Sequence, residues 1–141
     1  MAPKVLVPYD GSDGSAEAVT HALETFPDAE TTVLHVIDRK LIEAPYGQML
    51  VGDEELRERA EEAAEGILSE AEDIAKKDGT EIKTDVVVGH PVRDILRYAE
   101  ENEMDQIVLG GKGLSNVPSL LLGSVSFGVV LHAEIPVTVV R

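Results

Sequence analysis

The sequence predicts an α/β fold, in which an open, five-stranded parallel sheet carries helices on both faces. Short aliphatic runs alternate with segments whose apolar residues recur every three or four positions, and this alternation is typical of parallel strands joined by helices. Hydrophobic residues make up 43% of the chain and aromatic residues only 4%, so the core must be aliphatic. The 141 residues contain no internal repeat and no long linker, which predicts a single domain over residues 1–141.

The first part of the chain is expected to form a strand, a helix and a second strand. Aliphatic residues dominate both strand segments, and the helix between them carries its apolar residues on one face. Asp10, Gly11 and Ser12 follow the first strand and have the chemistry of a turn and a helix cap. The predicted bounds are Lys4–Pro8 for strand one, Ser15–Phe26 for the helix and Thr31–Asp38 for strand two.

A long acidic helix and three further strands follow a connection at residues 39–51. The apolar residues from Leu56 to Ile74 recur at spacings of three and four, and one stripe of this length favours packing on the sheet over a coiled coil. Gly79 suits the position that ends a helix. The predicted bounds are Gly52–Asp78 for the long helix, Glu81–Val88 for strand three, Pro91 to about Glu101 for the next helix, Asp105–Leu109 for strand four, Gly110–Leu122 for an irregular segment, Gly123–His132 for the last helix and Pro136–Val140 for strand five.

The net charge of −15 is the most extreme feature of the composition, because 27 acidic residues face 12 Lys and Arg residues. Such a field repels nucleic acids and anionic membranes. Two explanations stay open: an ordinary solvated surface, or a halophilic protein whose carboxylates keep it hydrated in a salt-rich cytoplasm. No apolar stretch reaches the roughly 18 residues of a membrane span, the N-terminus lacks the features of a signal peptide, and cysteine is absent. We therefore expect a soluble, cytoplasmic protein.

A glycine-rich segment after strand four is the strongest candidate for a binding site. It reads Gly110-Gly111-Lys112-Gly113 and, after nine further residues, Gly123-Ser124-Val125-Ser126. Backbone N–H groups of such a loop can surround an anion, and the helix that follows adds unpaired N–H groups and the positive end of its dipole. Lys112 is the only cation in this stretch and the expected partner of a phosphate. Ligands of parallel sheets bind beyond the carboxyl ends of strands, so the loops that start at Asp10 and Gly110 are expected to share one site.

This segment does not match the better-known phosphate motifs. A P-loop would need Lys followed by Ser or Thr at a helix start after the first strand, and a dinucleotide fingerprint would need glycine where Asn116 stands. Two plainer readings also remain, since a glycine-rich loop is often only a turn and Asp10 is either a ligand group or a cap. A helix end contributes about 0.3–1 kcal/mol, whereas micromolar binding needs about 8 kcal/mol. A base-binding pocket is therefore needed as well.

At these residues the chain resembles the universal stress protein family. Nucleotide-binding members of that family carry Gly, two residues, Gly, nine residues and then Gly-Ser or Gly-Thr, a spacing that Gly110, Gly113, Gly123 and Ser124 match in full. The segments KVLVPYDGS, LHVID at 34–38, VVVGHP at 86–91 and the last 22 residues are also similar to the family, so the resemblance covers nearly the whole chain.

The resemblance implies a Rossmann-like sheet of order 3-2-1-4-5 and a site for ATP or AMP. Pro8, Tyr9 and Asp10 would border adenine and ribose, and Val36 would line the adenine pocket. The segments Gly110–Gly113 and Gly123–Ser126, with Val125 among them, would hold ribose and phosphates, and Mg²⁺ can accompany the nucleotide. Strand five would be an edge that pairs with its copy in a homodimer through Val137, Val139 and Val140. The chain departs from many relatives in having no Lys or Arg at residues 116–120, which weakens the expectation for a triphosphate.

The sequence leaves three hypotheses for the function. The first is a non-enzymatic nucleotide-binding stress or signalling protein that changes state with ATP or AMP. The second is a slow ATP hydrolase or phosphotransferase, and the third is a dimeric scaffold with a degenerate site. Catalysis is the weaker prediction, because no general base near the loop and no Gly-x-Ser-x-Gly elbow is apparent. His21, His35, His90 and His132 lie on separate elements without metal-ligand spacing, so we predict no metal site and a structural or surface role for each.

Overall fold

A single sheet of five parallel strands organises the computed structural model, which describes residues 2–42, 53–111 and 122–141. The strands lie in the order β3-β2-β1-β4-β5, and every neighbouring pair is parallel. The predicted fold class and strand order are therefore confirmed. The elements are β1 (Lys4–Pro8), α1 (Asp13–Thr25), β2 (Glu30–Asp38), a short 3₁₀ helix (Arg39–Leu41), α2 (Asp53–Asp78), β3 (Lys83–Gly89), α3 (Pro91–Glu101), β4 (Gln106–Gly110), α4 (Ser124–His132) and β5 (Val137–Val140).

No predicted bound differs from the observed one by more than two residues, and those of β1 agree at both ends. Helix α1 begins at Asp13 rather than Ser15, because Ser12 is its N-cap and accepts a hydrogen bond from the Ser15 amide at 3.2 Å. Strand β3 begins at Lys83 rather than Glu81, since its ladder with β2 starts there. Most of the predicted connection at 39–51 lies outside the described residues.

The core has two layers, one on each face of the sheet. Alternate side chains of β1 point to opposite faces, so Val5 and Val7 pack with α1 and α2 while Leu6 packs with α3 and α4. Helices thus cover both faces, as predicted.

The predicted apolar stripe of α2 packs on the sheet through Ala71, with Ile67 and Ile74 partly buried against the same cluster. Ala63, which the pattern placed in the stripe, is exposed, and Leu68 is buried instead.

The end of β4 lies directly against the start of α1. A Cβ atom at Gly110 would stand 2.3 Å from the Gly14 carbonyl carbon and 2.8 Å from the Ser15 nitrogen. Both distances are far below a van der Waals contact, so this approach requires glycine at position 110. The contact brings the loop after β1 and the loop after β4 to the same end of the sheet.

Candidate functional site

A pocket opens at the carboxyl ends of β1, β2 and β4, where the strand order reverses direction. This is the position at which open parallel sheets bind ligands. The described residues enclose about 150 Å³ there, less than the roughly 300–1,000 Å³ of a complete small-molecule site. The next residues along the chain, 112–121, lie outside the described part. The lining residues are Pro8, Tyr9, Asp10, Ser12, Ser15, Leu34, Val36, Pro91, Ile95, Leu109, Gly110, Val125 and Ser126.

The lining of this pocket combines apolar and polar side chains. Leu34 and Val36 come from β2, Ile95 from α3 and Val125 from α4, and their aliphatic side chains suit the faces of a flat ring. Hydroxyl and carboxylate groups come from the start of α1 and from the start of α4. A molecule with an apolar ring at one end and polar groups at the other therefore matches the lining.

Asp10 supplies the carboxylate among the described residues that line the pocket. Its Oδ1 accepts hydrogen bonds from the Ser12 amide at 2.9 Å and from the Ser15 hydroxyl at 3.0 Å. Burial raises the pKa of Asp10, but these hydrogen bonds outweigh burial and leave the pKa below its ordinary value of 3.8. The cap of α1 is Ser12, so Asp10 forms the turn before the helix rather than capping it.

The first turn of α4 is tied to the end of β4. The Ser126 hydroxyl donates to the Gly110 carbonyl at 2.9 Å, and the Gly123 amide donates to the Gly111 carbonyl at 3.4 Å. Gly123 is the N-cap and provides no side-chain hydrogen bond to the helix. The first amides of α4 thus lack the intrahelical acceptors of later turns, and the helix dipole adds a positive potential.

The structure brings most of the predicted site residues to one place. The pocket lining includes the predicted residues Pro8, Tyr9, Asp10, Val36, Gly110, Val125 and Ser126. Tyr9 is only 4% exposed, and its side chain belongs to the core on the α1 and α2 face. Gly123 and Ser124 lie at the start of α4 but are not among the lining residues. Lys112 and Gly113 lie outside the described residues.

Several lining residues were not predicted from the sequence: Ser12, Ser15, Leu34, Pro91, Ile95 and Leu109. Ser12 and Ser15 have the three-residue spacing of an N-cap pair, and that spacing is a local signal for both hydroxyls. Pro91 and Ile95 are four residues apart on α3 and therefore share one helix face. Their approach to β1 and β2 depends on how α3 packs across the sheet.

Two classes of site are not found in the described part of the chain. Among residues 2–42, 53–111 and 122–141, no group of three or more His, Cys, Asp or Glu side chains is arranged to hold a metal ion. Within the same residues, no helix has the length and apolar character needed to cross a membrane.

Comparisons with known proteins identify relatives along the full chain. The sequence matches the model of the universal stress protein family over residues 1–141. It is 34% identical over 142 residues to universal stress protein MJ0531 of Methanocaldococcus jannaschii, covering 98% of this chain and 81% of that protein. The solved structure of hypothetical protein MJ0577, from the same organism, has a TM-score of 0.81 at 31% identity and covers 99% of this chain and 96% of that chain. A universal stress protein solved in complex with cAMP has a TM-score of 0.68 at 30% identity, with 99% and 96% covered.

Proposed function

The chain belongs to the universal stress protein family, and we propose that it is a nucleotide-binding member with a stress-response or signalling role that depends on ATP or AMP. The observation that carries the proposal is the pocket at the carboxyl ends of β1 and β4, where the strand order reverses direction. It is lined by apolar side chains and by polar groups at the starts of α1 and α4. The relative that was solved with cAMP supports an adenine nucleotide as the ligand class.

In this proposal the adenine lies in the apolar part of the pocket and the ribose and phosphates extend to the polar part. Val36 and Ile95 contact the base, and Asp10 accepts hydrogen bonds from ribose hydroxyls. The amides of α4 from Ser124 to Ser126 bind phosphate oxygens, and Lys112 and Gly113 are proposed to contribute to phosphate binding as well. Burial of the base supplies binding free energy that a helix end cannot provide alone.

Mg²⁺ enters this proposal only with the nucleotide. Asp10 is the single carboxylate among the described residues that line the pocket, and its Oδ1 already accepts two hydrogen bonds. One such carboxylate fits an ion held mainly by phosphates and water. It does not form a dedicated protein site.

Binding without turnover is the form of the proposal that the site favours. A general base works best with a pKa near the operating pH, and the pKa of Asp10 is lowered further from that range. Asp10 is therefore a weak base for activating a water molecule. We propose that the nucleotide acts as a bound effector.

We also propose that the protein is a homodimer that pairs through β5. Carbonyls of Pro136 and Val140 face β4, where they accept from Ile107 and Gly111 at 3.0 and 2.8 Å. Backbone groups alternate along a strand, so the N–H and C=O groups of Val137 and Val139 point to the open edge. Such an edge is a template for pairing with another strand.

Helix α4, which follows β4 and precedes this edge strand, supports the same assembly. Phe127, Val130 and Leu131 are 57%, 42% and 63% exposed, and their spacing places them on one face. Exposed apolar side chains that share one face favour a protein interface over free surface. A second copy would cover both features together.

Calorimetry with ATP, ADP, AMP and cAMP, with and without Mg²⁺, tests the proposal directly. We expect ATP or AMP to bind with micromolar affinity and to remain intact over hours. Mass spectrometry of purified protein should then detect a copurified adenine nucleotide. No binding by any of the four would overturn the proposal, and steady phosphate release would replace it with a hydrolase.

A matched pair of variants locates the site. Val36→Phe fills the apolar part of the pocket, and we expect affinity to fall at least about tenfold, because displacing the base removes more than about 1.4 kcal/mol. Leu96→Phe adds the same ring in a separate cavity between α3 and the end of α4 and should leave affinity unchanged. Equal affinities for both variants would place the ligand elsewhere.

A further inference from the structure

His35 lies on β2, the strand that contributes apolar side chains to the pocket, but its own side chain is on the opposite face of the sheet. It stands between Leu34 and Val36 on β2, and both of those neighbours line the pocket. Alternation along the strand turns His35 toward the opposite face, where α1 and α2 pack. His35 is half-buried and is not one of the described lining residues. It can therefore affect a ligand only through the residues that it holds.

The imidazole of His35 holds the backbone of the loop after β1. Its Nδ1 is 2.8 Å from the Tyr9 carbonyl oxygen. A carbonyl can only accept, so Nδ1 carries a proton and donates in this bond. Tyr9 follows the last residue of β1, and its carbonyl lies beyond Pro8 and Leu34, the last pair of the β1–β2 ladder. His35 therefore provides a side-chain donor to a carbonyl at the point where this ladder ends.

Two further hydrogen bonds of Tyr9 anchor the same loop. The Tyr9 amide donates to the Leu34 carbonyl at 2.8 Å. The Tyr9 hydroxyl reaches toward α2, where burial and then the charge of Glu70 raise its pKa, with a hydrogen bond to Glu70 contributing. Gly11 has φ +85°, which favours glycine, and a Cβ atom there would stand 3.6 Å from Ile67 and 3.7 Å from Glu70 of the same helix. These anchors leave the backbone between Tyr9 and Gly11 little freedom, and that backbone carries Asp10.

From this arrangement we infer that His35 is a positioning residue of the nucleotide site: by donating Nδ1–H to the Tyr9 carbonyl it fixes the direction of Asp10 without touching the ligand. The inference rests on the proposed nucleotide-binding function. The same bond should also order the protein without ligand, because the turn at Asp10, with its hydrogen bonds to Ser12 and Ser15, depends on this backbone. Loss of the His35 bond therefore weakens ligand binding through a loosened turn.

Three variants test this role. His35→Leu keeps an apolar body and removes the donor, whereas His35→Asn places an amide N–H where Nδ1 stood. Asn102→Leu is the matched control, because the Asn102 amide donates to the Tyr98 carbonyl at 2.9 Å in a similarly half-buried setting at the end of α3. Thermal unfolding of all three shows how far each change destabilises the fold.

The first readout is nucleotide affinity, measured by calorimetry with AMP and ATP well below the unfolding temperature. We expect His35→Leu to bind about three- to tenfold more weakly, which corresponds to the loss of one hydrogen bond. We expect His35→Asn to recover most of this loss and Asn102→Leu to bind as the wild type does. Equal affinity for His35→Leu and the wild type, or an equal loss in Asn102→Leu, would overturn the inference.

The second readout needs no ligand, and so it separates this inference from the proposed function. Hydrogen exchange of the Ser12 amide, which donates to Asp10, should be about three- to tenfold faster in His35→Leu and unchanged in Asn102→Leu. If the wild type binds no nucleotide but this exchange accelerates, the proposed function fails and the positioning role of His35 stands. If exchange is unaffected by His35→Leu, the positioning role fails whether or not nucleotide binds.

Discussion

At the scale of single residues, Asp10 makes the stability of the fold depend on pH in the acidic range. Its carboxylate accepts hydrogen bonds from Ser12 and Ser15, and those bonds favour the charged form more than burial disfavours it. The pKa in the folded state is therefore lower than the value of about 3.9 in an unfolded chain. A carboxyl group with this direction of shift stabilises the fold above the unfolded pKa and stops doing so as the pH falls through the folded pKa.

Asp10→Asn should therefore destabilise the protein most at neutral pH. We expect the difference in the free energy of unfolding between wild type and variant to shrink as the pH falls below about 4, because the wild-type carboxyl then becomes protonated. Urea unfolding at a series of pH values measures this difference. Asp28→Asn, at an exposed position before β2, controls for the removal of one negative charge. A difference that grows on acidification would contradict the lowered pKa.

At the scale of elements, two glycines at α2, one within the helix and one directly after it, have opposite expected effects on stability when replaced. Gly66 lies in the middle of the helix, is exposed, and has no atom within 4 Å of a Cβ added there. Gly79 follows the last turn with φ +76°, a conformation that favours glycine. A side chain at position 66 is therefore expected to stabilise the helix, whereas a side chain at position 79 is expected to destabilise its end.

Gly66→Ala should stabilise the protein by about 0.5–1 kcal/mol, because alanine loses less backbone freedom in a helix. Gly79→Ala should destabilise it by about 1 kcal/mol, because an L side chain is strained in the left-handed region. Chemical denaturation compares both variants with the wild type. If both variants were more stable than the wild type, or both less stable, the helix and its end would not follow these conformational rules.

The two ends of helix α4, which has nine residues, differ in character. Its first turn is tied to β4 by Ser126 and lies at the pocket, while its later residues Phe127, Val130 and Leu131 expose an apolar face. The two functions proposed for this helix, phosphate binding and contact with a second copy, thus occupy its start and its remainder. Gly128 allows α4 to approach α3, since a Cβ there would stand 2.8 Å from Val92.

At the scale of the whole molecule, the proposed dimer depends on backbone groups at one sheet edge. Val139→Pro removes an N–H that points to this edge while leaving the bonds to β4 in place. We expect this variant to be monomeric by light scattering, whereas Val139→Ala, which keeps the N–H, should remain dimeric. A dimeric Val139→Pro protein, or a monomeric wild type, would contradict pairing through β5.

The net charge of −15 also acts on the whole molecule. Many carboxylates lie along α2, whose outward positions are exposed over most of its length. In molar salt the Debye length is about 3 Å, so distant carboxylates would no longer oppose a bound anion and the local groups would decide binding. A preference for high salt remains a prediction of the composition.

The sequence by itself determined the class of fold, the succession of elements and the end of the sheet where binding is expected. These follow from local properties: aliphatic runs for strands, three-and-four spacing for helices, and turn chemistry at residues 10–12 and 110–113. The strand order came with the family resemblance rather than with periodicity. Bounds such as the start of α1 were missed by two residues, because the hydroxyl of Ser12 caps the helix earlier than the apolar pattern begins.

Only the tertiary structure decided which side chains meet at the pocket and which support it from behind. Ile95 lines the same pocket as the loop after β1 because α3 packs on the face of the sheet. His35 reaches the Tyr9 carbonyl because β1 and β2 are neighbours in parallel register. Local spacing does not encode such contacts, since they join residues distant along the chain. For the same reason the sequence, which predicted a structural or surface role for His35, did not reveal its hydrogen bond to the carbonyl of Tyr9, the residue before Asp10.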